Sequence, residues 1–173
     1  MTTVKQMYGA DEIADRIEVL AAEIAAEISG HLTVIGVLKG SFIFLADLVR
    51  ALDRAGLPCR VEFLRLSSYG NKQKASGDVV LIGGYPDVDS DGTILLVDDI
   101  VDTGNSITYA INLLKAGSTM KIKTCTLLDK PSRREVDVGF VGFTIPDKFV
   151  VGYGIDYAKN YRSLPYLGIV EKE

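Results

Sequence analysis

The chain has 173 residues, 47% of them hydrophobic and 24% charged, with 17 glycines and a formal charge of −4. That length fits a single domain, 1–173, able to bury roughly 70% of its unfolded surface. The acidic balance lacks the basic footprint of a nucleic-acid binder, no run of 18 apolar residues offers a membrane span, and no basic segment followed by an apolar one opens the chain as a secretory signal.

A soluble, cytoplasmic protein is therefore expected. Cys59 and Cys125 lie far apart in apolar, strand-like surroundings and read as buried free thiols. Residues 10–29 place Ile13, Ile17, Leu20, Ile24 and Ile28 at helical spacing, with Gly30 as the stop. Residues 32–38 read as a buried strand, Lys39-Gly40-Ser41 as a turn and residues 42–55 as a helix. Parallel strands would put Lys39 at the carboxyl edge of the sheet. Residues 59–67 alternate apolar and polar for most of their length, a half-exposed strand. The next ten residues, from Ser68-Tyr69 to Gly77, form a polar stretch that reads as a surface loop. A short strand over 79–83 and an acidic, turn-rich connection over 86–92 follow.

Residues 93–106 read Thr-Ile-Leu-Leu-Val-Asp-Asp-Ile-Val-Asp-Thr-Gly-Asn-Ser. Ile94 to Val97 are expected to form a strand buried on both faces that stops at Asp98 and Asp99. Asp102 and Thr103-Gly104-Asn105-Ser106 come next, and Ile107, Ile111 and Leu114 are spaced for one helical face. Strand, acidic turn, glycine-containing loop and helix N-terminus describe a site for an anionic ligand, because loop N–H groups and the helix dipole both favour a phosphate. Such sites lie beyond the carboxyl ends of the strands in open α/β sheets. Asp-Thr-Gly also suits a plain helix cap, with Asp98 and Asp99 as solvated turn acids. Three acids together outweigh that alternative, since packed like charges are unfavourable without a cation or polar ligand.

Residues 122–128 are a further strand ending at Asp129-Lys130-Pro131, where the proline stops it. The helix between these strands makes a right-handed parallel crossover. The repeated units define an α/β fold with a mainly parallel β-sheet flanked by helices. From Val138 the chain is apolar and strand-like, with Phe149 after a Pro-Asp-Lys turn and an isolated Asp156. Such a Phe is usually core and such an Asp usually a turn residue. The single histidine, His31, excludes His-His metal motifs and leaves a Ser-His-Asp triad without support. Neither a Gly-x-x-x-x-Gly-Lys-Ser/Thr loop nor a Gly-x-Gly-x-x-Gly run occurs, so ATPase and dinucleotide readings have little basis.

The run from Val97 to Ser106 resembles the loop that binds 5-phosphoribosyl 1-pyrophosphate (PRPP) in the purine phosphoribosyltransferases. Ile145-Pro146-Asp147-Lys148-Phe149-Val150-Val151-Gly152-Tyr153, then Ile155-Asp156-Tyr157 and Asn160-Tyr161-Arg162-Ser163-Leu164-Pro165, resemble their 6-oxopurine branch, the hypoxanthine and hypoxanthine-guanine phosphoribosyltransferases. The likeness runs through ordered segments from about Leu38 to Pro165. It implies the type I phosphoribosyltransferase fold, with a small hood formed by N- and C-terminal segments. It also implies purine salvage: the phosphoribosyl group of PRPP passes to hypoxanthine, and to guanine, giving IMP or GMP and pyrophosphate.

The same resemblance assigns roles and a Mg²⁺ cofactor. Asp98 and Asp99 hold the ribose hydroxyls, directly or through the metal, and Asp156 coordinates the Mg²⁺ that carries pyrophosphate. Asp102 is the base for the purine N7 proton, and Asp102 with Thr103, Gly104, Asn105 and Ser106 cradles the 5′-phosphate. Lys39 and Gly40, after a Leu38–Lys39 bond often cis in the family, meet pyrophosphate together with Arg162. Lys130 reaches the purine O6, Phe149 stacks on the base and the Val150 backbone reads its edge. Ser68 and Tyr69 belong to a lid that shields an oxocarbenium-like sugar from water. A homodimer or homotetramer is implied as well. Two positions depart from some relatives: Asp98 stands where they carry Glu, and Asn105 where they carry Lys.

Adenine, orotate and uracil enzymes share the PRPP loop but lack the Lys130 and Pro146-to-Asp156 context. A nucleotide-sensing RNA-binding regulator of the same fold would use Arg133, Arg134, Lys121 and Lys123 as its basic patch. A solvated face explains those cations more simply, so no nucleic-acid partner is expected. A phospho-acceptor signalling domain would leave Phe149 and Lys130 without a purpose.

Overall fold

Strands and helices alternate through most of the computed structural model, which describes residues 2–69, 78–88 and 91–172. β1 (Thr2–Tyr8) leads into α1 (Ala10–Glu27), followed by β2 (Leu32–Leu38), α2 (Phe42–Arg54), β3 (Arg60–Tyr69) and β4 (Asp78–Leu81). Then come β5 (Thr93–Val101), α3 (Asn105–Gly117), β6 (Lys121–Asp129), β7 (Phe140–Thr144), β8 (Val150–Val151) and β9 (Leu167–Lys172). Six strands form one sheet in the order β4-β3-β2-β5-β6-β7. All its pairings are parallel except β3 with β4. β1, β9 and β8 form a separate antiparallel sheet, the hood expected from the two chain ends.

The alternation of side chains along β5 divides the core. Leu95 and Val97 pack with Ile13, Ile17 and Leu20 of α1 and with Phe44 and Leu48 of α2. Ile94 and Leu96 face the other way, towards Ile107, Ala110 and Leu114 of α3. Both faces are therefore covered, which is why the strand reads as a continuous apolar run. Each fully buried Leu or Ile contributes about 1.5–3 kcal/mol of transfer free energy. Arg16 of α1 ties the helix to the edge strand β7, donating from Nε to the Gly142 carbonyl at 2.7 Å and from Nη2 to that of Val141 at 2.8 Å.

Several expectations change. β5 does not stop before the acids but runs through Asp98 and Asp99 to Val101, because β6 extends to Asp129 and supplies partners. Pro131 does end β6, yet β6 lies inside the sheet with β7 beyond it. The strand β1 was not legible; its backbone is ordered by pairing with β9 some 160 residues later, from Thr2 with Lys172 to Tyr8 with Leu167. Ile111 is half-buried, and Ala110 takes the centre of the α3 face.

Both cysteines are free, but only Cys125 is buried; Cys59 is half-buried. Burial raises the proton affinity of both thiols, with Asp53 adding to the effect at Cys59 and Arg16 opposing it at Cys125. Thiolate is the reactive form. A thiol reagent at neutral pH should titrate Cys59 slowly and Cys125 only after unfolding; fast reaction of both in the folded protein would contradict this packing.

Candidate active site

The carboxyl ends of the parallel neighbours β2, β5 and β6 bring Lys39-Gly40, Asp99 and Lys130 to one cleft. Because neighbouring residues of a strand point to opposite faces, Asp98 and Asp99 do not act as one surface. Asp98 is buried, at 6% exposure, on the α3 side, and accepts a hydrogen bond from the Asp99 N–H at 2.9 Å. Asp99 turns towards the start of α2 and accepts from the Ile100 N–H at 2.9 Å. Burial pushes the Asp98 carboxyl well above the usual carboxylate range, and the Asp99 charge pushes it further. Burial raises Asp99 too, although Asp98, backbone N–H groups and Arg162 oppose that rise. Two carboxyls this close are costly to ionise together, and a cation beside them would favour the charged form of both.

The turn after β2 lies against Asp99. The Leu38–Lys39 peptide is cis, and buried Ser41 donates from its hydroxyl to the Val37 carbonyl at 2.6 Å. A Cβ on Gly40 would stand 1.6 Å from Asp99 Oδ2, so only glycine allows this approach.

After β5 the chain turns through Asp102, Thr103 and Gly104 into α3. Gly104 is the N-cap residue, with φ +87°, and no side chain caps the helix. The first-turn N–H groups are thus left for a ligand or water, and the helix-cap reading of Asp102 does not hold. A recess of about 90 Å³ opens on this loop, lined by Asp98, Val101, Asp102, Thr103, Gly104, Asn105 and Ser106.

Beside it lies a cleft of about 360 Å³. It gathers Lys39, Gly40, Asp99, Asp156 and Arg162 with Asp102, Lys130, Phe149 and Val150, and Ile100 and Ile155 supply apolar wall. Asp102 and Ile100 belong to both spaces, so recess and cleft adjoin. A larger space of about 630 Å³ opens beyond Thr103 and Asn105, between α3 and Glu135-Val136, but none of Asp99, Asp102, Lys39 and Lys130 lines it.

Lys130, just past the end of β6, is buried at 4% exposure; its Nζ lies 3.4 Å from Asp102 Oδ2 and 3.5 Å from Asp147 Oδ1. Arg133 Nε stands 2.6 Å from Asp102 Oδ1. The alignment is off the line of a hydrogen bond, so Oδ1 is buried with a Coulomb partner alone. Phe149 is 53% exposed and meets Tyr157 edge-on, with ring centroids 5.2 Å apart. The Phe149 carbonyl accepts from the Val170 N–H at 2.9 Å, and β8 pairs with β9, so the hood carries this wall of the cleft. Asp156 sits between two isolated bridges and not on a strand. Both its oxygens are held, by Arg162 Nη2 at 2.5 Å and by the Lys159 N–H at 2.8 Å. Arg162 Nη1 also donates to the Gly154 carbonyl at 2.6 Å.

Among the described residues no group of three or more His, Cys, Asp or Glu side chains is arranged to hold a metal. Of Asp98, Asp99 and Asp156, only the last two share the cleft. This donor set fits Mg²⁺ none the less, since that ion is commonly held by one or two carboxylates and completed by water and substrate phosphates. The backbone of Ser68 and Tyr69 forms the end of β3, paired with Val79 and Asp78. The rest of the expected lid, residues 70–77, lies outside the described residues.

Arg133, Asp147 and Tyr157 were not singled out as site residues from the sequence. By sequence alone Arg133 is a solvated cation, because the turn that brings it back over Asp102 leaves no periodic signal. The RNA-binding alternative is not favoured either, since three of the four cations of its basic patch are paired with acids. Arg133 pairs with Asp102 and Asp147, Arg134 with Asp129 and Asp137, and Lys123 with Glu27.

A doubly covered parallel sheet, with an uncapped helix start and an acid-and-cation cleft at its carboxyl edge, is the arrangement in which open α/β proteins bind their ligands. A model of the phosphoribosyl transferase domain matches residues 9–158, and the chain belongs to the phosphoribosyltransferase family. It is 44% identical over 176 residues to the hypoxanthine phosphoribosyltransferase of Salmonella typhimurium, covering 97% of this chain and 96% of that one. To the hypoxanthine-guanine phosphoribosyltransferase of Bacillus subtilis it is 40% identical over 170 residues, with 96% and 93% covered. A crystal structure of a hypoxanthine-guanine phosphoribosyltransferase from Bacillus anthracis matches at 38% identity and a TM-score of 0.87, over 98% of this chain and all of that one.

Proposed function

We propose that residues 1–173 act as one phosphoribosyltransferase domain that moves the 5-phosphoribosyl group of PRPP to hypoxanthine, and to guanine, in purine salvage. The observation that carries this reading is the single cleft in which Asp102, Lys130 and Phe149 stand with Lys39, Asp156 and Arg162, next to the loop recess. Asp102, Lys130 and Phe149 suit a 6-oxopurine, Lys39 and Arg162 a pyrophosphate, and the recess a 5′-phosphate.

In the reaction, a bond forms between the purine nitrogen and the anomeric carbon while the bond to pyrophosphate breaks, its electron pair leaving with pyrophosphate. Positive charge builds on the sugar and negative charge on the leaving group, so placement and fixed charges supply most of the catalysis. Asp102 takes the proton from purine N7. Lys130 donates to O6; it would face the amino group of adenine unfavourably. Phe149 stacks on the base, and the Val150 backbone reads its edge. Thr103 to Ser106 offer N–H groups and hydroxyls to the 5′-phosphate, which makes up for Asn105 carrying no charge. Lys39, the Gly40 backbone and Arg162 neutralise pyrophosphate. Asp99 and Asp156, which share the cleft, are the residues that would hold Mg²⁺, which when bound would neutralise pyrophosphate charge and orient the ribose; Asp98, on the other face of β5, accepts from the Asp99 N–H behind them. Ser68 and Tyr69 belong to a lid that shields the sugar from water in this reading.

The two free thiols are in keeping with a cytoplasmic setting, and no helix among the described residues is long and apolar enough to cross a membrane. Exposed Val61 and Phe63 on β3 support assembly as a homodimer or homotetramer.

Calorimetric titration with IMP and AMP tests the purine assignment. IMP should bind tighter by about 10- to 100-fold, the worth of a hydrogen bond to a charged group. Lys130→Ala should remove most of that preference; equal binding of IMP and AMP by the unaltered chain would contradict the assignment.

A further inference from the structure

Lys130 is a buried ammonium, and a buried charge needs partners. Its two carboxylates are both distant, at 3.4 Å for Asp102 and 3.5 Å for Asp147. Arg133 meets the same two carboxylates from the other side, at 2.6 Å and 3.2 Å. The four side chains therefore close a ring in which negative and positive charges alternate: Asp102, Lys130, Asp147, Arg133. The ring joins three separate segments, the PRPP-type loop, the turn after β6 and the turn before Phe149. The function proposed above uses two of its members and leaves Arg133 and Asp147 without a role.

We propose that Arg133 and Asp147 are positioning residues, which close this ring and fix the carboxylate of Asp102 and the ammonium of Lys130 relative to one another. The inference rests on the roles given to Asp102 and Lys130 above. Its physical content is an unequal sharing. Lys130 is held between two acceptors at the outer limit of contact, so no short bond consumes its ammonium and a donor stays available for a purine O6. Asp102 Oδ1 has the Arg133 charge beside it without a hydrogen bond, so the carboxylate is restrained yet not capped. The guanidinium can do this because its planar fork spans two carboxylates, which a lysine cannot match. The ring is neutral as a whole, and Lys39, Asp99, Asp156 and Arg162 line the same cleft without an ion pair to Asp102 among the described contacts.

Steady-state kinetics of the full chain test the ring. Loss of one exposed ion pair is worth up to about 5-fold, so Asp147→Asn should raise the KM for hypoxanthine by about that factor. The KM for PRPP should stay unchanged, and the preference for hypoxanthine over adenine should narrow. Arg133→Met should lower kcat by about 5-fold, again without moving the KM for PRPP. In the double variant the losses should fall short of the product of the single ones, since both break the same ring. Arg133→Lys, which keeps the charge and loses the fork, should fall between, and it serves alone if the Met variant does not fold. Wild-type constants in Arg133→Lys and Asp147→Asn would overturn the proposal. So would equal losses for PRPP and purine with a lowered thermal midpoint, the mark of a purely structural role. No transfer to hypoxanthine by the unaltered chain would overturn both this inference and the function beneath it. Normal transfer with unmoved variants would overturn the ring alone.

Discussion

Asp102→Asn should lower turnover by about 10²- to 10⁴-fold, the range for loss of a positioned general base. The substitution is nearly isosteric, and the Asp102 side chain does not cap α3, whose N-cap is Gly104. The recess for the 5′-phosphate should therefore keep its shape, and the affinity for PRPP should change little. What is lost is the oxygen that receives the purine proton. The new amide also faces Lys130 and Arg133, which had a carboxylate between them. Pre-steady-state kinetics should show the loss in the chemical step and not in product release. Wild-type turnover in this variant would remove Asp102 from the role of base.

Gly40→Ala should reduce kcat/KM by about 10²-fold, the scale of a misplacement of about 1 Å at a reacting centre. The reason is steric and local. The added methyl carbon would stand 1.6 Å from Asp99 Oδ2 and 2.5 Å from Asp99 Cγ, so the acid or the turn has to move. Asp99 is the acid that shares the cleft with Lys39, Asp156 and Arg162. The damage should appear first in the concentrations of PRPP and Mg²⁺ needed for activity. Gly84→Ala is the matched control, because nothing lies within 4 Å of a Cβ there. Equal activity in the two variants would show that the Gly40 turn takes no part in catalysis.

Much of this was legible in the residues because it depends on local pattern. The apolar run before Asp98, the glycine at the start of α3 and the helical spacing of α1 and α3 each declare themselves within a few positions. The limits of β5 did not, since whether Asp98 and Asp99 continue a strand is decided by β6 lying beside them as far as Asp129. The opposite facing of the two acids follows from that extension and was missed with it. β1 was invisible for the same reason: its seven residues carry a weak pattern and owe their order to β9. The charge ring is the third case. Asp147 stood inside the Pro-Asp-Lys turn and Arg133 inside a run of basic residues, and neither position says what it faces. Only the return of two turns over the end of β5 gives them partners.

The most direct measurement is nucleotide formation from PRPP and Mg²⁺, followed spectrophotometrically in parallel for hypoxanthine, guanine, xanthine, adenine and uracil. IMP from hypoxanthine, with GMP from guanine, no product from adenine or uracil, and loss of all activity with EDTA is the predicted result. Folded protein that makes no nucleotide from any 6-oxopurine, or that prefers adenine, would contradict it.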